Sequence, residues 1–164
     1  MAYRFLLVLL LLPLSAPARD LPQPQGPVLL TVTGIIEHTN APGQARFDRQ
    51  MLEALGLAQV HTTTTWTEGR ILFEGVLLAR ILEFVGAQGD TIVARALNDY
   101  MAEIPASDLE HYPVLVAMTM DGEPMTPRDK GPLWIIYPRD DYPQLNTPYV
   151  DQRWVWQLNR LKIK

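Results

Sequence analysis

The sequence predicts an α+β domain with mixed β-sheets. Strand-like runs outnumber helical ones, their lengths vary, and no internal repeat or low-complexity tract interrupts them. Val28 to Thr33 is apolar and β-branched, a first strand. Pro42-Gly43 marks a loop. Asp48 is placed to cap a helix running to Leu55, with Phe47 and Leu52 as a hydrophobic staple and Gly56 as the stop. Val60 to Trp66 is threonine-rich and strand-like. Arg70 to Glu74 is a short strand, broken by Gly75. Val76 to Val85 puts Leu77, Leu78, Ile81, Leu82 and Val85 on one helical face, closed by Gly86. Thr91 to Leu97 and Tyr100 to Ile104 are strands around an Asn98-Asp99 turn. Ser107-x-x-Glu110 reads as a capping box. Val114 to Met120 is a strand ending in the hairpin signal Asp121-Gly122. Leu133 to Tyr137 is an apolar strand, Pro138 to Pro148 a loop, and Arg153 to Ile163 the closing strand. Trp154 and Trp156 share a face of that strand and read as packing.

The N-terminus has the layout of a secretory signal peptide. Arg4 is followed by the apolar run Phe5 to Leu12 and by Ala16-Pro17-Ala18, an A-x-A cleavage pattern. The run is too short to cross roughly 30 Å of hydrocarbon as a helix, so the expectation is cleavage after Ala18 rather than an anchor. The chain then divides into a signal peptide (1–18), a proline-rich flexible leader (19–27) and one domain (28–164), located in the periplasm or secreted without membrane insertion.

Composition narrows the function. The chain has no cysteine, which removes disulfides, thiolate nucleophiles and cysteine-held metals; its 48% hydrophobic residues must supply the core. Acidic residues number 18 against 14 basic, a balance that argues against nucleic acid as a partner. Beyond the leader the one serine is Ser107, without a G-x-S-x-G context. His38, His61 and His111 are too dispersed for a metal motif. No glycine-rich phosphate loop is present. Asp140-Asp141 reads as a solvated pair in a loop.

From Val60 onward the order of features is specific. A strand ends in Trp66. Then come Phe73-Glu74-Gly75-Val76-Leu77-Leu78, Asn98-Asp99-Tyr100, Glu103-Ile104-Pro105, Pro113-Val114-Leu115-Val116-Ala117-Met118-Thr119-Met120-Asp121-Gly122-Glu123-Pro124-Met125, and Lys130-Gly131-Pro132-Leu133-Trp134-Ile135-Ile136-Tyr137-Pro138. This series resembles the molybdopterin-binding oxidoreductase domain of the sulfite oxidase family, over about half the chain. The resemblance implies that family's fold, layered mixed β-sheets with a few short helices, and a pterin cleft between loops. It also implies two departures. The family cysteine that binds molybdenum falls in the loop corresponding to Thr62 to Thr65, and a neutral hydroxyl does not replace a soft thiolate. Trp134 stands where the family strand often carries arginine, offering a flat face instead of a cation.

What remains suits the aromatic half of the cofactor. The resemblance places Trp66 and Trp134 as stacking faces, Asp99 as the carboxylate for a donor edge, Asn98, Tyr100 and Thr64 as further polar partners, and Arg128 and Lys130 as holders of a side-chain hydroxyl or anion. No catalytic or metal-binding residue is assigned. The leading expectation is an exported, metal-free binder of a reduced pterin with no tightly bound cofactor, like small relatives that partner membrane-bound cyclic-di-GMP regulators. The alternatives are a molybdopterin-dependent oxidoreductase and an interaction module without a ligand.

Overall fold

The computed structural model describes residues 21–164, so the expected signal peptide lies outside the described residues. In chain order the elements are β1 (Leu30–Gly34), β2 (Gln44–Phe47), α1 (Arg49–Ala54), β3 (Leu57–Thr63), β4 (Arg70–Leu77), α2 (Leu78–Phe84), β5 (Thr91–Ala96), β6 (Met101–Pro105), α3 (Ser107–His111), β7 (Leu115–Met120), β8 (Glu123–Pro124), β9 (Trp134–Ile136), α4 (Pro148–Asp151) and β10 (Leu158–Ile163).

Two sheets result. The first has the order β2-β1-β10-β5-β6. It is mixed: β1 runs parallel to β10, with Val32 opposite Leu161, and the other pairings are antiparallel. The second has the order β3-β4-β7-β8, with β9 also on β7, and is antiparallel throughout. Alternate residues of β5, Ile92, Ala94 and Ala96, are buried, while β9 is buried along its length. A strand with one apolar face covers a core, and one apolar on both faces lies inside it. This is the layered α+β arrangement that the sequence predicts.

The caps show why α1 and α2 form where they do. Asp48 accepts a hydrogen bond from the Met51 amide at 2.8 Å, Phe47 and Leu52 are fully buried beside it, and Gly56 takes the positive φ of 96° that ends the helix. In α2, Leu78 and Ile81 face the core, as does Val85 just beyond it, and Gly86 has φ 61°. Asp121 and Gly122 both have positive φ, 50° and 84°, which makes the expected two-residue hairpin between β7 and β8.

Four local expectations are corrected. Gly75 does not break β4. The strand continues to Leu77 with a bulge between Glu74 and Gly75, because β7 passes so close that a Cβ on Gly75 would lie 2.0 Å from the Val116 carbonyl oxygen. Ser107 is not a cap: it is the first residue of α3, whose cap residue Ala106 makes no side-chain bond. The closing strand begins only at Leu158, and Trp154 and Trp156 lie in the irregular segment before it. Finally, residues 21–27 are docked, not free. Leu21 is buried, its amide donates to the Thr39 carbonyl at 3.0 Å, and Asp48 accepts the amides of Gln25 and Gly26 at 2.6 and 2.9 Å.

Candidate functional site: an aromatic cavity with one carboxylate

The loop between β3 and β4 places Trp66. Thr64 Oγ1 accepts the Trp66 amide at 3.0 Å and shares a hydrogen bond with Thr67 Oγ1 at 2.8 Å, a local side-chain turn that fixes the indole's direction. Around Trp66 gather the other three tryptophans of the chain. Its ring centroid lies 5.3 Å from Trp156 at 90°, 6.0 Å from Trp154 and 6.3 Å from Trp134, spacings at which edge-to-face aromatic contacts are favourable.

The turn between β5 and β6 forms a second wall. Asn98 Oδ1 accepts the Tyr100 amide at 3.1 Å. The Tyr100 hydroxyl donates to the Gln152 carbonyl at 2.9 Å, and the Leu97 amide donates to the Gln157 carbonyl at 2.9 Å. The turn is thereby fastened to the segment that carries Trp154 and Trp156. A third wall is α4, capped by Thr147, with Pro148 in its first turn. Between the walls lies a cavity of about 350 Å³, within the size range of small-molecule sites. Trp66, Trp154, Trp156 and Tyr100 provide its aromatic surface; Asn98, Asp151 and Gln152 provide its polar groups. Hollows of 410 and 710 Å³ flank the docked leader, and neither gathers any residue predicted for the site.

A polar network supports the cavity from below. Thr65 Oγ1 donates to Asp151 Oδ2 at 2.9 Å and accepts from Arg139 at 2.9 Å; Arg139 also lies 3.6 Å from Asp151 Oδ1. Asp140, expected to be solvated, instead binds the end of β3. It accepts the Thr63 amide at 3.0 Å and hydroxyl at 2.6 Å, and pairs with Arg70 at 3.0 Å. Burial alone would raise its pKa, but the two Thr63 bonds together with Arg70 and Arg139 outweigh that and hold it below the usual carboxylate value. On the other side, Asp108 accepts Tyr137 Oη at 2.8 Å and Arg153 Nη1 at 2.5 Å. Arg153 also stacks on Tyr149, 4.6 Å from its ring centroid.

Of the predicted site residues, the structure brings Trp66, Asn98 and Tyr100 together around one cavity. Trp134 is corrected: it is fully buried, donates from Nε1 to the Trp154 carbonyl at 3.3 Å and packs at 5.4 Å on Phe73. It backs the cavity wall and offers no face to a ligand. Asp99 is also corrected. With φ 68° its side chain is 75% exposed and bound to Arg95 at 2.7 Å, so the carboxylate in the cavity is that of Asp151. Thr64 is buried and occupied in the turn. Arg128 is exposed, and Lys130 lies over the Trp134 ring at 5.6 Å; neither lines the cavity. Sequence reasoning missed Asp151, Gln152, Trp154 and Trp156. The Thr147-Pro148 pair, a cap residue followed by proline, was the available sign that a helix turns the chain there.

The donor set does not fit a thiolate-held molybdenum. Thr62 is buried, and the hydroxyls of Thr63 and Thr65 are taken by Asp140 and Asp151. Among the described residues no cluster of three or more histidine, cysteine, aspartate or glutamate side chains is arranged for a metal. No helix among them is long and apolar enough to cross a membrane.

Two β-sheets with a cavity walled by their connecting segments define the class: an α+β domain with a hollow of small-molecule size. The sequence model of the oxidoreductase molybdopterin binding domain matches residues 45–140, and the chain belongs to that family. The sulfane dehydrogenase SoxCD from Paracoccus pantotrophus has a similar structure, with a TM-score of 0.55 and 18% identity over 82% of this chain. The chain spans only 37% of the SoxCD chain's length, and the likeness is one of fold. A comparison with curated protein sequences finds no match. The segment of α4 and Trp156 that completes the cavity lies outside the family match.

Proposed function

We propose that this domain is an exported, metal-free binder of a reduced pterin or a similar flat heterocycle, acting as a sensor or partner of a membrane signalling protein. The observation that carries the reading is the cavity itself: three indoles and a phenol around one carboxylate, in a fold whose relatives hold a pterin cofactor. A flat bicycle gains from aromatic contact, by about 0.5–1.5 kcal/mol beyond area burial. Its N–H edge suits a carboxylate, where a charge-assisted hydrogen bond contributes about 1.5–3 kcal/mol. Asp151 Oδ2 already accepts from Thr65, and a carboxylate oxygen has lone pairs for a second donor.

All four tryptophans lie in one cluster, so their emission reports the site. Titration with tetrahydrobiopterin should quench it saturably, and Trp66→Ala should abolish most of the effect. Protein purified from its native compartment should release on denaturation a pterin that fluoresces after oxidation, and should contain no stoichiometric molybdenum. One molybdenum atom per chain by elemental analysis would favour an oxidoreductase; absence of both pterin release and saturable quenching would favour an interaction module. Export is tested by N-terminal sequencing of the mature protein, which should begin at Arg19.

A further inference from the structure

We infer that the cavity selects by charge: it accepts an uncharged or cationic heterocycle and rejects one bearing a carboxylate or phosphate. This rests on the pterin-site reading for the ligand's shape, but the charge rule comes from the walls. Among the described residues the one charged side chain that lines the cavity is Asp151, and no lysine, arginine or histidine lines it. Nearby cations already have partners. Arg139 lies behind Asp151, its side chain 11% exposed, paired with Asp151 Oδ1 at 3.6 Å and bonded to Thr65, and it does not line the cavity. Arg153 is held by Asp108 and covered by Tyr149. Lys130 lies over Trp134, on the buried ring that backs the wall, and Arg95 is tied to Asp99.

The aromatic walls act in the same direction. Indole and phenol faces carry negative electrostatic potential, which attracts cations and disfavours anions. The Tyr100 hydroxyl, a potential donor, is spent on the Gln152 carbonyl. The side-chain amides of Asn98 and Gln152 and the unpartnered Trp154 Nε1–H remain, and neutral donors alone do not replace the hydration of an anion. An anionic group entering the cavity thus loses water, meets the Asp151 carboxylate before the Arg139 behind it, and finds no unpaired cation on the walls. Molybdopterin carries a phosphate, so this rule disfavours it independently of the missing thiolate.

Two measurements on the protein decide the point. The first uses ionic quenchers of tryptophan emission, normalised to free tryptophan. Caesium should quench more efficiently than iodide, and Asp151→Asn should raise iodide quenching while caesium falls. Equal quenching by the two ions, or a preference for iodide, overturns the inference whether or not any pterin binds. The second compares biopterin with pterin-6-carboxylate at neutral pH. Biopterin should bind about tenfold more tightly, as expected for one like-charge contact screened by a partly wet site. The ratio should fall toward one in Asp151→Asn. Equal affinity in the parent protein again overturns the charge rule. If neither pterin binds, the pterin reading fails, and the ion experiment alone decides the rule.

Discussion

Trp66 and Trp134 touch each other yet differ in what their loss would cost. Trp134 is fully buried between Phe73 and Trp154. Trp134→Ala should destabilise the fold by about 3–5 kcal/mol, read as a lower midpoint in urea. Trp66 is partly exposed at the cavity, and Trp66→Ala should cost less stability while removing ligand quenching. The sequence could not separate the two, because an indole in an apolar strand and one beside a loop look alike until the opposite face is known. Asp99 teaches a similar lesson. An Asn-Asp turn was legible, but which residue takes the left-handed conformation was not, and that choice aims Asp99 at Arg95. Asp99→Gly, which relieves a φ of 68°, should leave stability within about 1 kcal/mol of the parent or raise it, since the exposed pair with Arg95 adds little. Ligand affinity should not change; a large loss of binding would return Asp99 to the site.

The elements were read best where their ends carry chemistry. The Asp48 cap, the Gly56 and Gly86 stops and the Asp121-Gly122 hairpin were all visible, because each needs a particular residue type at one position. The segment 148–157 was not. Its apolar Trp154-Val155-Trp156 run imitates a strand, whereas the backbone there is irregular and runs beside β9, with the Ile135 amide donating to the Val155 carbonyl at 3.0 Å. The leader docks where composition predicts a flexible segment, because composition does not show that Asp48 has a second task. Its Oδ1 caps α1, and its Oδ2 holds Gln25 and Gly26. Asp48→Ala should therefore cost more than the ~1 kcal/mol of an ordinary cap. It should also increase proteolytic cleavage and amide exchange around residues 21–27, and unchanged exchange there would show that the leader docks without it.

At the scale of the whole molecule, stability should fall on acidification. The Met51, Gly26, Gln25 and Gln50 amides around Asp48 hold its carboxyl below its ordinary value of 3.8, against the opposing effect of burial, and Asp140 is held below 3.8 as well. Carboxyls depressed in the folded state contribute stability that is fully present well above pH 3.8 and is lost as pH falls through their folded values. Burial and then Asp108 push Tyr137 well above its ordinary value of 10.0. Its contribution is full below pH 10 and is lost as pH rises beyond it. Denaturation curves across pH should show both limbs, with Asp140→Asn flattening the acid one. The fold class was legible because strand count, glycine placement and hairpin signals are distributed along the chain. The cavity was only half legible, since it is assembled from a β3–β4 loop, a β5–β6 turn and the segment 148–156, and no local pattern records their convergence.

The parallel pairing of β1 with β10 sets an order of events in time. Thr33 Oγ1 donates to the carbonyl of Leu161, 128 residues away, and β10 lies between β1 and β5 in the middle of its sheet. During vectorial synthesis the first sheet therefore has no centre until Leu158–Ile163 has emerged, whereas β3, β4 and β7 can already zip together. A nascent chain halted before Leu158 exposes the facing edges of β1 and β5 and should be captured by holdase chaperones or cut by proteases. Arrival of β10, more than the folding of any earlier segment, acts as the trigger for closure of this sheet.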